Sequence, residues 1–178
     1  MKILSKIIAV SAMASAMFFT TDLKAQTLTE KKFSFSLGAE TGMPTGVARL
    51  GTTFSLGATG QFQYGVTNKF GLTFTAGGDH YFPKKNPQTG ERYGSYGEIP
   101  VRIGVKEFFL PNVYVAAQGG LAWEKLESGW ADFHRRNLTG GIGYATKHLD
   151  FSVRYEDYYM KDYHSGLVGL RVAYGFGL

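Results

Sequence analysis

Residues 57–82 read GATGQFQYGVTNKFGLTFTAGGDHYF, and this stretch decides the fold. A polar break, Thr67–Lys69, divides it into two halves of similar design. In both halves large apolar side chains occupy every second position: Phe62, Tyr64, Val66, Phe70, Leu72 and Phe74. Alternation with period two on both sides of a short break predicts an antiparallel hairpin. One face of this hairpin is strongly apolar, and the fold depends on whether that face meets a protein core or lipid.

The same alternation recurs along the rest of the chain. It predicts strands at about residues 32–40, 53–66, 70–81, 98–107, 113–124, 137–145, 149–158 and 170–178. Their length is close to the ~9–11 residues that a tilted strand needs to cross a bilayer, whereas strands of globular proteins more often have ~5–6. An even number of strands is typical of bacterial membrane barrels. The sequence therefore predicts an all-β fold, an eight-stranded antiparallel up-and-down transmembrane β-barrel.

The charged residues of the seventh predicted strand decide which face points outward. Asp150, Arg154 and Glu156 all share the face opposite Phe151 and Val153. A basic residue on the lipid face near the midplane costs ~2–4 kcal/mol, whereas in the lumen it can pair with an acid. We therefore predict that the apolar faces meet lipid and the charged faces line the lumen. The alternative is a soluble lipocalin-like barrel with its apolar faces inward, and the length of the strands argues against it.

A polar network is predicted inside the barrel, because eight strands enclose a space that side chains can fill. Its charged members are Glu40, Asp79, Arg102, Lys106, Glu124, Asp150, Arg154, Glu156 and Arg171. Paired with one another, these side chains would plug the lumen. The alternative is a narrow porin for small solutes, which requires a continuous gap through the network.

The N-terminus predicts export from the cytoplasm. Lys2 and Lys6 precede an apolar run at residues 7–19, and Leu23-Lys24-Ala25 follows it. This is the arrangement of a signal peptide at residues 1–25, cleaved after Ala25, which leaves residues 26–178 as one barrel domain. The alternative, a membrane anchor, is disfavoured because a spanning helix needs ~20 apolar residues.

Composition limits the other possibilities. The chain has 24 glycines and 15% aromatic residues, which is typical of barrels. It contains no cysteine, so it has neither disulfides nor the lipid-modified cysteine of a lipoprotein. The formal net charge is +5, but the basic residues are scattered, and we expect no nucleic-acid partner.

The segments between the predicted strands are of two kinds. Short turns fall at residues 67–69, 108–112 and 146–148, and longer loops at 41–52, 82–97, 125–136 and 159–166. Short periplasmic turns alternating with longer outer loops are expected of an outer-membrane barrel. The loop at 82–97 carries Lys84, Lys85, Glu91 and Arg92, which favours contact with lipopolysaccharide phosphates or an acidic surface partner. The alternative is a solvated loop that binds nothing.

Three stretches resemble a known family. They are YGEIPVRIGVKEFFLPNVYVAAQGGLAW (Tyr96–Trp123), VTNKFGLTFTAGG (Val66–Gly78) and VGLRVAYGFGL (Val168–Leu178). They are similar to the small, porin-like outer-membrane β-barrels of Gram-negative bacteria. The resemblance implies a monomer in the cell outer membrane, in contact with outer-membrane lipid including lipopolysaccharide and with the outer-membrane assembly machinery. It implies no enzyme chemistry and no cofactor. Chains of this family commonly end in an aromatic residue. Here Leu178 is last, and Phe176, two positions earlier, lies on the same face of the predicted strand.

A lipid-modifying enzyme remains an alternative class, because some eight-stranded barrels hydrolyse lipid A. The candidate nucleophile and base are Ser165 and His164, which are adjacent in sequence. Adjacent residues of a strand point to opposite faces, so this pair could cooperate only from an irregular loop. We therefore predict no catalytic site, and no residue spacing indicates a metal site.

Aromatic residues collect toward the predicted outer ends of the strands. They are Tyr81, Phe82, Tyr93, Tyr96, Trp123, Trp130, Tyr155, Tyr158 and Tyr159. Such residues form a girdle at the membrane interface of known barrels. The sequence therefore predicts that these rings point outward.

Overall fold

The chain closes into a barrel. The computed structural model describes residues 30–86, 88–126, 129–160 and 163–177, so the predicted signal peptide lies outside the described residues. Within them the elements are β1 (Phe33–Gly46), α1 (Ala48–Gly51), β2 (Thr52–Gly65), β3 (Phe70–Pro83), β4 (Tyr96–Phe108), β5 (Val113–Leu126), β6 (Gly129–Ala145), β7 (Leu149–Met160) and β8 (Tyr163–Gly177). No helix among these residues is long and apolar enough to cross a membrane.

Each strand pairs antiparallel with the next one in sequence, and β8 pairs with β1 to complete the ring. Phe35 illustrates the closure, since it lies opposite Phe62 on β2 and opposite Phe176 on β8. A closed sheet has no edge strand, and the strands pair their backbone amides and carbonyls with one another around the whole ring. The predicted fold class is therefore confirmed.

The apolar faces point outward. Phe62, Leu72 and Phe74 are 49%, 49% and 44% exposed, whereas the intervening Thr73 and Thr75 are buried. Val153 is likewise exposed while Arg154 is buried. The predicted parity is correct, and the outer surface of the barrel carries a continuous apolar belt.

In two of the connections between strands, a threonine hydroxyl accepts a hydrogen bond from a backbone amide. Thr67 Oγ1 accepts a hydrogen bond from the Phe70 amide at 2.9 Å, and Thr146 Oγ1 accepts one from the Leu149 amide at 3.1 Å. Each hydroxyl thus holds the amide that opens the following strand, as Ser and Thr commonly do in turns. Residues 66–69, 109–112 and 146–148 connect strands at one end of the barrel, which we call the turn end; the opposite end is the loop end.

The prediction of long loops is wrong at three of four places. Strand pairing continues to Gly46 and Ser165 between β1 and β8, and to Leu126 and Gly129 between β5 and β6. Glycine, proline and polar residues interrupt the alternation in these segments, so the sequence pattern ends before the strands do. Pairing with a neighbouring strand satisfies their backbone groups regardless of the side chains. The segment at residues 84–95 is the long connection that remains.

Pro100 is tolerated in β4 because the backbone pairing between β3 and β4 is interrupted at this position. β3 and β4 pair at Ala76–Val101 and again at Asp79–Glu98, and this constant register places Pro100 opposite Gly77. Proline has no amide hydrogen to donate, and no pairing is recorded at that position. On its other side Pro100 pairs with Ala122 of β5.

The predicted aromatic girdle is only partly correct. Tyr81 and Tyr158 are 3% and 2% exposed and point into the barrel, where they pack with Ala122 and Leu167. Tyr96 stacks on Tyr81 with the ring centroids 4.5 Å apart. Tyr81 and Tyr158 point inward as their positions along the strands require, and their hydroxyls donate to acidic partners in the lumen, which favours burial of a tyrosine.

Candidate functional site

A chain of ion pairs crosses the middle of the barrel. Arg102 Nη1 on β4 lies 2.7 Å from Glu156 Oε2 on β7, and neither side chain is exposed. Glu156 Oε1 lies 2.6 Å from Arg154 Nε, and Arg154 Nη2 in turn contacts Glu40 of β1. Two acids and two guanidinium groups thus alternate across the lumen, which offsets the cost of burying each charge. We call these four residues the central layer.

Hydroxyl groups anchor this layer to the wall. Thr59 Oγ1 donates to Glu40 Oε1 at 2.5 Å, and Tyr158 donates its hydroxyl proton to Glu156 Oε2 at 2.5 Å. Arg171 joins from β8, because its Nε lies 3.3 Å from Glu40 Oε1. The central layer and these three partners together come from five strands, β1, β2, β4, β7 and β8.

A second group of charges lies at the turn end. Lys106 Nζ donates to Asp150 Oδ2 at 2.7 Å, and the Tyr114 hydroxyl donates to Asp150 Oδ1 at 2.6 Å. Lys106 Nζ also lies 3.9 Å from the centre of the Tyr114 ring, a cation–π distance. Phe108 and Ala145 pack with Tyr114 below this pair. One ion pair and an apolar cluster thus lie inside the turn end of the barrel.

A third group lies toward the loop end around Arg135 of β6. Its Nη2 lies 3.0 Å from Glu98 Oε1 and 3.3 Å from Glu124 Oε2. Tyr81 donates to Glu98 Oε2 at 3.0 Å, and Arg135 Nη1 donates to Ser165 Oγ at 3.1 Å. One guanidinium group therefore serves two carboxylates.

The structure places all nine predicted network residues on the interior face. Eight of them are buried and Glu124 is half-buried. It brings eight into ion pairs, whereas Asp79 has no ion pair among the described residues. Asp79 lies beside Glu98 in the register of β3 and β4.

Sequence reasoning missed Glu98 and Arg135 as members of the network. Glu98 shares the parity of Arg102 and Lys106 but stands at the edge of the predicted strand. Arg135 shares the parity of Asn137 but falls in a segment predicted as loop. Extending the alternation backward from Asn137 would have found it.

The free space inside the barrel is divided unequally. Two cavities near the turn end measure about 30 and 20 Å³, and both lie against Lys106 and Gln61. Each is about as large as one or two water molecules. At the loop end a much larger cavity of about 410 Å³ opens between α1 and the ends of β7 and β8. We call it the outer cavity.

The outer cavity has an apolar wall and a charged floor. Val47, Ala48 and Met160 form part of its sides, and Tyr96, Tyr158, Glu124 and Arg135 form the deeper part. The central layer lies beyond Tyr158, whose hydroxyl it holds. The cavity therefore ends on Tyr158, which separates it from the central layer.

His164 and Ser165 do not form a catalytic pair. Ser165 Oγ faces the lumen and accepts the hydrogen bond from Arg135, while the exposed His164 stacks on Tyr159, with the ring centroids 6.0 Å apart. His164 Nδ1 lies 3.8 Å from Asp157 Oδ2. Within the described part of the chain, no group of three or more potential ligands could hold a metal ion.

The remaining long connection forms a small hairpin above the barrel rim. The Tyr93 amide donates to the Lys84 carbonyl at 3.0 Å, and Lys85 and Arg92 form an isolated bridge between its two arms. Lys84 Nζ donates to the Arg49 carbonyl at 3.0 Å, which ties the hairpin to α1. We call residues 84–93 the basic hairpin, because Lys84, Lys85 and Arg92 outnumber the single acid Glu91.

Several solved structures with a similar fold are outer-membrane proteins. Ail of Yersinia pestis, in a phospholipid nanodisc, has 16% identity and a TM-score of 0.59 over 83% of this chain and 100% of its own. Neisserial surface protein A has 17% identity and a TM-score of 0.52 over 81% of this chain and 97% of its own. The N-terminal barrel of Pseudomonas aeruginosa OprF has 17% identity and a TM-score of 0.52, over 83% and 98%.

These similarities define the fold. No protein-family model matches the chain, and no curated protein matches it. The chain has the fold of the small outer-membrane β-barrels, which confirms the predicted fold class and supports the predicted location in the outer membrane.

Proposed function

We propose that this chain is an integral outer-membrane barrel with a structural or surface-interaction role, and that its polar side chains plug the lumen. The observation that carries the proposal is the central layer. Arg102 and Glu156 are fully buried and join β4 to β7 across the lumen, while the outer surface is apolar where it would meet lipid. A charged interior inside an apolar exterior suits a bilayer and no aqueous compartment.

The central layer supports a closed lumen on energetic grounds. A solute passing from the outer cavity toward the turn end would have to separate Arg102 from Glu156, and Glu40 from Arg154. Removing one partner of a buried ion pair leaves an uncompensated charge and costs ~3–5 kcal/mol. The cavities beyond the layer are only about 30 and 20 Å³.

The basic hairpin supports a surface role for the loop end. Its cationic side chains extend from the rim of the barrel, where lipopolysaccharide phosphates would lie in an outer membrane. A basic side chain near an anionic membrane surface contributes about 1 kcal/mol to binding. We therefore propose lipopolysaccharide as a contact of the hairpin, for a monomer inserted by the outer-membrane assembly machinery.

Conductance in planar bilayers tests the closed lumen. The purified barrel should first show heat-modifiable mobility on a gel, which establishes that it is folded. We then expect little or no steady conductance from the unmodified protein. Stable channels of uniform size would favour the narrow porin instead.

A variant provides the positive control. In Arg102→Ser/Arg154→Ser/Glu156→Ser, three long side chains of the central layer become short, and we expect steady channels if the variant keeps its heat-modifiable mobility. A matched variant, Lys147→Ser at the exposed turn end, should remain closed. A folded triple variant that stays closed would show that other side chains block the lumen.

A further inference from the structure

The outer cavity has no part in a plugged barrel, yet it has the features of a ligand site. Its volume of about 410 Å³ lies within the ~300–1,000 Å³ of small-molecule pockets. Like them, it combines apolar walls with a few charged groups. We propose that the outer cavity binds small organic cations that carry an apolar or aromatic body.

The charge at the floor of the cavity favours a cation. Arg135 Nη2 is shared by Glu98 and Glu124, so two carboxylates face one guanidinium group. Of these groups Glu124 and Arg135 line the cavity, and Glu98 lies behind them. Two carboxylates on one guanidinium group leave an excess of negative charge, and in a recess with low-dielectric walls such an excess attracts the opposite sign. Glu124 is the carboxylate of this group that a positively charged ligand can reach.

Glu124 is the residue that can hold the cation. It lines the cavity directly, and its recorded ionic contact is the 3.3 Å approach to Arg135. An ionised carboxylate can accept about four hydrogen bonds, so Glu124 keeps capacity for a ligand. The rings of Tyr96 and Tyr158 lie in the same wall, and tyrosine rings attract ammonium groups through cation–π contact.

Arg135 is poorly placed to hold an anion. Its Nη2 faces both carboxylates, and its Nη1 donates to Ser165 Oγ. An anionic ligand at Nη2 would compete with Glu98 and Glu124 for a partly buried contact. The apolar body of a ligand would instead lie against Val47, Ala48 and Met160, where its burial from water is favourable.

Methionine methyl groups provide the measurement. In the barrel without residues 1–25 the methionines are Met43 and Met160. Met160 lines the outer cavity, so its resonance reports ligand bound there. Met43 is 71% exposed on the outer surface, so its resonance reports ligand that has dissolved in the lipid. The methyl resonances of ¹³C-labelled protein in lipid nanodiscs are followed during titration with benzylamine, benzyl alcohol and benzoate. These probes share one ring and differ in charge.

We expect benzylamine to shift the Met160 resonance saturably, with Met43 unchanged. Benzyl alcohol should bind at least tenfold more weakly, and benzoate should not bind. Glu124→Gln should weaken benzylamine at least tenfold and leave benzyl alcohol unaffected. The control, Glu107→Gln at the exposed turn end of β4, should leave both affinities unchanged.

Three results would overturn the proposal. The first is a Met160 resonance that benzylamine does not shift saturably. The second is benzoate binding as tightly as benzylamine, which would make Arg135 the anchor. The third is unchanged benzylamine affinity in a folded Glu124→Gln protein. The first two are measured on the unmodified barrel, so they stand even where the variant does not fold.

Discussion

Arg102 and Glu156 meet at 2.7 Å inside the barrel although they stand on β4 and β7, which are not neighbours in the wall. Their contact therefore spans the lumen and joins opposite parts of the ring. Neither side chain is exposed, so the pair is a buried ion pair that depends on both partners.

Loss of one partner should destabilise the barrel strongly. In Glu156→Gln, Arg102 and Arg154 both lose a carboxylate, and we expect the free energy of unfolding to fall by about 3–5 kcal/mol. Urea unfolding of the barrel in lipid vesicles measures this change. Adding Arg102→Met to Glu156→Gln should recover part of the loss, because one uncompensated charge is removed.

The matched control for this prediction is Glu107→Gln. Glu107 is exposed at the turn end, so the same chemical change should alter the free energy by about 0.5 kcal/mol or less. An equal loss in the two variants, or no recovery in the double variant, would contradict the role assigned to the pair.

The free-energy cost of placing a charged residue on the outer surface should depend on its depth in the apolar belt. Val153 lies between Ile142 and Leu170 on the outer surface, whereas Val66 follows β2 at the turn end. Both valines are exposed. Val153→Arg should cost ~2–4 kcal/mol and Val66→Arg ~1 kcal/mol or less. Folding yield into lipid vesicles compares them, and equal yields would argue against lipid at Val153.

Close packing between strands should forbid a side chain at Gly104. A Cβ atom there would lie 2.6 Å from Cα of Gln118, against the backbone of β5. Gly104→Ala should therefore destabilise the barrel by about 1–3 kcal/mol. Gly140→Ala is the control, since a Cβ there meets no described atom within 4 Å. Thermal unfolding of the two variants should differ, and similar midpoints would mean that β4 and β5 can separate without cost.

Charge on the basic hairpin should govern contact with lipopolysaccharide. Replacing Lys85 and Arg92 by serine should weaken binding by about 1 kcal/mol for each side chain, and rising salt should reduce the difference. Surface plasmon resonance with purified lipopolysaccharide over immobilised barrel measures the affinity. Glu91→Gln should bind at least as well as the unmodified protein. Undiminished binding by the folded double variant would place the contact elsewhere on the rim.

The sequence predicts this fold well because the direction of each side chain in a barrel wall depends only on its position along the strand. Each side chain points in or out according to its position along the strand, so the directions of Val153, Arg154 and Glu40 follow from neighbouring residues. Ring closure follows too, since a sheet with lipid on its outer face cannot leave an edge unpaired.

The sequence does not predict which interior charges meet. Arg102 and Glu156 are 54 residues apart, and their contact depends on the stagger of all the strands between them. The ends of the strands were also missed, because backbone pairing continues through residues such as Pro44 and Gly46 that carry no alternation. For the same reason Arg135 was assigned to a loop, and the outer cavity beside it could not be anticipated.

The strands of this barrel are taller than the membrane requires. Most have about 14 residues, which at ~3.3 Å per residue and a tilt of ~40° gives a wall about 35 Å high. The lipid-facing band of such barrels is only ~25 Å tall. We expect the surplus at the loop end to stand clear of the hydrocarbon as a collar of paired strands. A ligand of the outer cavity would then enter it directly from water, without first dissolving in lipid.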